Sequence, residues 1–119
     1  MFRINYHSIF VASQPVDFRK SFDGLSGEVR NSLNMDPLSG SLFVFFNRRM
    51  DSVKMLLWDG DGFWMFAKKL EAGTFQFPLT CSPGKPSAAV GYDELQCILS
   101  GIEVTRIQKR KRYSRANLT

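Results

Sequence analysis

The sequence predicts an α+β fold, in which an antiparallel sheet of about four to six strands is packed by two helices. Short apolar runs rich in aromatic and β-branched residues alternate with clusters of turn residues, which is typical of strands. Two longer segments repeat their apolar residues every three or four positions, as amphipathic helices do. A length of 119 residues suits one hydrophobic core rather than two. We expect a single compact domain over residues 1–105 and a basic C-terminal tail over residues 106–119.

The N-terminal third predicts a strand followed by the first helix. Residues 9–12 form a short apolar run that ends in a Ser-Gln-Pro turn. Asp17 is in position to cap the helix, but Gly24 and Gly27 disfavour a helix interior, so either the helix packs closely at these glycines or it begins later, near Ser21. The helix is predicted by an apolar stripe of Phe18, Phe22, Leu25, Val29 and Leu33.

The middle of the chain predicts three antiparallel strands. Residues 41–46 and 53–58 are apolar runs joined by the polar loop 47–51, which indicates a hairpin. Two Asp-Gly pairs at 59–62 favour a tight turn into a third strand over 63–66. Because both faces of these strands carry apolar residues, we expect the helices on one face and partial cover, for example by a second subunit, on the other.

The last third predicts one more strand and a second helix. Residues 75–77 alternate as a short strand does, and the segment 81–86 contains the prolines and glycine of a loop. The helix lies near residues 92–100, because acidic residues at its start suit the helix dipole and Gly101 is suited to end it. Its apolar stripe comprises Leu95, Ile98, Leu99 and Ile102.

Composition excludes several classes of protein and of chemistry. No apolar run approaches the roughly 20 residues of a membrane helix, and the N-terminus lacks the features of a secretory signal, so we expect a cytoplasmic protein. His7 is the only histidine, which leaves a catalytic serine or cysteine without a suitable base. Asp59 and Asp61 are the type of residue that holds magnesium in nucleases, but their Asp-Gly pairs favour a turn. We predict no enzyme, no metal and no cofactor.

Positive charge is concentrated in the tail. The formal net charge is +5, yet residues 1–105 are close to neutral and no acidic residue follows position 105. Clustered Lys and Arg displace counterions from phosphates and indicate a polyanion-binding arm, whereas a solvated tail that aids solubility is the alternative. A second basic patch, or an ordinary charged loop, lies at the hairpin tip near Lys54 and Lys68-Lys69. The predicted nucleic-acid contacts are Arg48, Arg49, Lys109, Arg110, Lys111, Arg112 and Arg115.

Four ordered segments closely resemble the second open reading frame protein of the insertion-sequence sixty-six transposable elements. They are VDFRKSFDGL at 16–25, DPLSGSLFVF with NRR at 36–49, WDGDGFW at 58–64 and KKLEAGTF at 68–75. The resemblance implies a bacterial accessory protein, encoded beside a larger transposase that carries the catalytic carboxylates and beside another small protein of the element. It implies no catalytic or binding residues for this chain.

Two hypotheses follow. In the first, the protein assists transposase assembly on element DNA, and its basic residues contact phosphates without reading bases. In the second, it is a protein-interaction adaptor whose Phe- and Trp-rich strands bind the transposase or another copy of itself without contacting nucleic acid.

Overall fold

The computed structural model describes residues 5–78 and 82–100. These residues form a five-stranded sheet with two helices. The strands lie in the order β4-β3-β2-β1-β5. The predicted α+β class and strand number are confirmed, while the predicted domain boundary at residue 105 lies outside the described residues. The elements are β1 (Ile9–Ala12), α1 (Phe22–Asn31), β2 (Leu42–Phe46), β3 (Ser52–Trp58), β4 (Phe63–Lys69), β5 (Ser87–Val90) and α2 (Tyr92–Ser100).

The sheet is mixed rather than wholly antiparallel. β1 pairs with β2 in parallel, with Ile9 opposite Leu42, whereas the other three strand pairs are antiparallel. The prediction of an antiparallel sheet is therefore wrong for this one pair. The reason is the position of α1 between the two strands, because a helix that crosses back over the sheet lets the next strand start at the same end.

The first helix takes the later of the two predicted starts. α1 begins at Phe22 after the N-cap residue Ser21, whose backbone is extended. A Cβ atom at Gly24 would lie 2.8 Å from the Cβ of Lys20, so only glycine lets the preceding turn approach this closely. Leu33 lies beyond the end of the helix but is still buried. The predicted apolar stripe therefore identifies this core residue correctly but extends past the helix.

The two helices cover opposite faces of the sheet, which corrects the prediction that both lie on one face. Every residue of β2 is buried, so this strand supplies side chains to two separate clusters. On one face, α1 packs in a cluster that contains Leu25, Val29, Phe43, Phe45 and Leu56. On the other face, α2 packs in a cluster that contains Val44, Phe46, Val53, Leu57, Phe75, Leu95 and Ile98.

The predicted strand at 75–77 is absent, and a strand that was not predicted completes the sheet. Phe75 lies in a loop, is 2% exposed and packs against Phe46 with ring centroids 5.5 Å apart. Its side chain is therefore part of the core although its backbone is not part of the sheet. β5 pairs with β1 in antiparallel fashion. Its Ser-Ala-Ala-Val sequence has small side chains and little of the aromatic signal that predicts strands. The prediction for α2 is confirmed, and Gly101 lies outside the described residues.

Candidate nucleic-acid interface

Charge is unevenly distributed between the two ends of the sheet. We call the end that carries loop 47–51 the hairpin end, and the end that carries the tight turn 59–62 the turn end. Acidic residues mark the turn end, where Asp59 and Asp61 lie in the turn and Asp93 and Glu94 begin α2. The hairpin end instead gathers the cations Arg19, Lys20, Arg48, Arg49, Lys54, Lys68 and Lys69.

Asn47 and Asp51 hold the hairpin tip in a fixed shape. The Asn47 side-chain oxygen accepts the backbone N–H groups of Asp51 at 3.1 Å and Ser52 at 3.0 Å, and its amide donates to the Asp51 carboxylate at 2.6 Å. The Met50 N–H donates to the Asn47 carbonyl, which closes a turn around Arg48 and Arg49. Both arginines are exposed, and neither forms an ion pair with any residue in the described ranges.

A groove of about 440 Å³ lies beside the tip. The Val16 N–H donates to the Phe46 carbonyl at 2.9 Å, which brings the segment before α1 against the end of β2. This contact adds Arg19 to the basic surface, a residue that the sequence analysis did not select. The Arg19-Lys20 pair is visible in the sequence as two adjacent cations. Its place beside the hairpin tip follows only from the Val16–Phe46 hydrogen bond between distant segments. The groove is lined by Val16, Asp17, Phe18, Arg19, Asn47, Arg48 and Arg49.

Arg19 is partly neutralised by Asp17. Its guanidinium donates to both oxygens of the carboxylate, with the closest contact at 2.6 Å, while its side chain remains 91% exposed. These hydrogen bonds lower the pKa of Asp17 to about 2. The pair therefore presents little net charge to the groove, and Arg48 and Arg49 carry most of its positive charge.

We expect Asp17 to titrate at about 2, and Arg19→Ala to return its pKa toward the ordinary value of 3.8. Because the pKa is lowered in the folded state, the interaction is complete above the unfolded pKa and is lost as the pH falls toward 2. An NMR titration of the carboxyl carbon measures both values. Arg49→Ala is the control and should leave the pKa of Asp17 unchanged, and a value near 3.8 in the unsubstituted protein would contradict the geometry.

The lysines at the hairpin end serve the fold. The Lys54 ammonium donates to the carbonyls of Phe18 at 2.9 Å and Lys20 at 3.2 Å and lies 5.0 Å from the Phe18 ring centroid, so it anchors the segment before α1. Lys69 pairs with Asp51 at 3.4 Å. Asp51 therefore does not pair with the two arginines beside it.

Lys68 connects the hairpin end to the end of α2. Its ammonium donates to the Leu99 carbonyl at 2.8 Å, where a cation suits the negative end of the helix dipole. α2 therefore ends at the same end of the sheet as Arg48 and Arg49. The predicted tail contacts Lys109, Arg110, Lys111, Arg112 and Arg115 lie outside the described residues.

The turn end carries Asp59 and Asp61, which are the type of residue that holds magnesium in nucleases. The Asp59 N–H donates to the Gly62 carbonyl at 3.0 Å, and the Asp59 carboxylate accepts the Trp64 indole N–H at 2.6 Å, which is the geometry of a turn. Their mutual hydrogen bond lowers the pKa of Asp59 and raises that of Asp61. Among residues 5–78 and 82–100, no cluster of three His, Cys, Asp or Glu side chains has the arrangement of a metal site.

Within the described residues, these features define a compact α+β fold with a basic groove at one end of its sheet. The described helices are too short to cross a membrane. The chain belongs to the family described as IS66 Orf2 like protein, whose profile matches residues 7–109. The resemblance found in the sequence is thereby confirmed, and the family implies an accessory role in the transposition of an insertion sequence.

Two relatives from Sinorhizobium fredii (strain NGR234) support the assignment. The protein named uncharacterized protein y4jC is 38% identical over 103 residues, which cover 86% of this chain and 85% of the relative. The protein named uncharacterized protein y4hO is 34% identical over 95 residues, which cover 80% of each chain. No solved structure matches the chain significantly.

Proposed function

We propose that the protein is a non-catalytic accessory factor that assists transposase assembly on element DNA by binding phosphates. The observation that carries this proposal is the pair of exposed arginines, Arg48 and Arg49, on a hydrogen-bonded tip at the end of the sheet where α2 also ends. The tail residues provide the larger share of the charge. They are Lys109, Arg110, Lys111, Arg112 and Arg115.

Arginines on a fixed tip suit phosphate better than arginines on a flexible loop. The guanidinium fork matches the geometry of phosphate oxygens, and a tip held by Asn47 loses less conformational entropy when it binds. Asp17 in the groove and Asp51 in the tip already have other partners, because Asp17 binds Arg19 and Asp51 binds Lys69. Phosphate contacts of this kind position a protein on DNA without reading the base sequence.

The salt dependence of DNA binding tests the proposal. Each neutralised phosphate contributes about −0.9 to the log–log slope of affinity against salt, so the five tail cations contribute about −4.5 and the two arginines about −1.8. We expect the slope to become less negative by about 4.5 when the five tail cations are replaced by serine in the full chain. Arg48→Ala combined with Arg49→Ala should make it less negative by about 1.8. Fluorescence anisotropy with a duplex at several salt concentrations measures both changes.

Arg30→Ala is the matched control, because Arg30 is an exposed cation in the last turn of α1, away from the groove. It should leave the slope unchanged. Equal slopes and affinities for the full chain and both substituted chains would reject the proposal and favour the adaptor hypothesis.

The exposed aromatic side chain of Trp64, which is 42% accessible, is the observation that supports an adaptor.

A further inference from the structure

The outer edge of β4 has no neighbouring strand among the described residues. β4 is the terminal strand of the sheet and is seven residues long, and none of its residues is buried. Trp64 and Phe66 stack on one of its faces, with ring centroids 6.2 Å apart. An edge strand this long and this aromatic is a template for another strand, because its outward N–H and C=O groups have no main-chain partner within residues 5–78 and 82–100.

Two hydrogen bonds identify the groups that point outward. The Asp59 N–H donates to Gly62 O at 3.0 Å, and the Leu70 N–H donates to Asp51 O at 2.8 Å, so both ends of the β3–β4 ladder are hydrogen-bonded pairs. Paired residues alternate in an antiparallel ladder, so the even-numbered residues of β4 bond β3 and the odd-numbered ones face away. The outward backbone groups belong to Phe63, Met65, Ala67 and Lys69.

The sequence of β4 is complementary to itself when two copies run antiparallel. If Phe66 lies opposite the partner's Phe66, all seven residues overlap, and the four outward-facing residues of each copy meet in hydrogen-bonded pairs. Trp64 then lies opposite the partner's Lys68. The Lys68 ammonium is held on the α2 side of the sheet by the Leu99 carbonyl, the same side that carries Trp64 and Phe66.

We propose that two copies of this protein pair through their β4 strands about a two-fold axis at Phe66, which forms one continuous sheet across both copies. The interface contains a central Phe66 pair flanked by two Trp64–Lys68 pairs, in which the aliphatic part of Lys68 packs against the indole while its ammonium stays on the Leu99 carbonyl. This develops the self-association of the adaptor hypothesis and does not depend on DNA binding. A two-fold contact satisfies both β4 edges and closes the assembly. The opposite edge, β5, is only four residues long.

Ala67→Pro tests the edge pairing, because it removes one outward N–H and leaves the bonds to β3 in place. Ala67 is exposed, and proline is tolerated where the N–H points away from the sheet. We expect sedimentation velocity without DNA to show a dimer for the unsubstituted chain and for the control Ala67→Ser, and a monomer for Ala67→Pro with an unchanged circular dichroism spectrum. An unsubstituted chain that stays monomeric across a dilution series, or a dimeric Ala67→Pro, would overturn the proposal.

A cysteine pair tests the register independently of fold stability. In a chain with Cys81→Ser and Cys97→Ser, Phe66→Cys places two thiols in a non-hydrogen-bonded pair with Cβ atoms about 4.5–5.5 Å apart, close to disulfide geometry. We expect a mild oxidant to convert this variant to a covalent dimer. Lys69→Cys in the same background should stay monomeric on a non-reducing gel, since its two copies lie at opposite ends of the paired strands. Cross-linking of Lys69→Cys instead of Phe66→Cys would reject this register.

Discussion

Phe46→Ala is expected to lower the free energy of unfolding by about 3–5 kcal/mol, the usual cost of truncating a buried phenylalanine. Phe46 has no exposed surface and packs against Phe75 and Phe77, with ring centroids 5.5 Å and 5.6 Å away. Its removal leaves a cavity where β2 meets the loop after β4. The backbone of the same residue accepts the Val16 N–H, so movement at Phe46 also disturbs the wall of the basic groove.

Urea denaturation measures this effect as a shift of the midpoint at constant m-value. Phe22→Ala is the matched control, because the Phe22 side chain is 42% exposed at the start of α1. We expect that control to change the free energy of unfolding by less than about 1 kcal/mol. Equal losses for the two variants would mean that Phe46 is not in the core.

Leu95→Ala is expected to lower the free energy of unfolding by about 2–5 kcal/mol. Leu95 is 4% exposed and connects α2 to the sheet face opposite α1. The substitution tests whether α2, rather than a second subunit, covers this face. Thermal or urea unfolding of the isolated protein measures it, and Gln96→Ala on the exposed side of α2 should change stability by less than about 0.5 kcal/mol. A loss no greater than that of the control would mean that α2 is not packed there.

The two proposed interfaces lie on different parts of the protein. The proposed phosphate contacts lie at the hairpin end, whereas the proposed self-association uses the outer edge of β4, so the two proposals are compatible in one assembly. Antiparallel pairing of β4 would point the two hairpin ends in opposite directions. A dimer of this kind would offer separate basic surfaces to two segments of DNA.

The sequence alone determined the elements whose signals are local. Helical spacing predicted the apolar positions of α1 and α2, and the alternation of apolar runs with Asp-Gly turns predicted β2, β3 and β4. The hairpin loop with its two arginines followed from the same reasoning. Four ordered motifs also led to the family, because their order and spacing are far more specific than any single pattern.

Only the tertiary structure decided how these elements combine. The parallel pairing of β1 with β2, the strand β5 and the placement of the helices on opposite faces depend on contacts between distant segments, which local periodicity does not encode. The same contacts bring Arg19 to the groove and engage Lys54 and Lys68 with backbone carbonyls. The sequence determines which residues are charged. Packing determines which of those charges are exposed and which are paired, because burial and hydrogen bonding depend on contacts between distant segments of the folded chain.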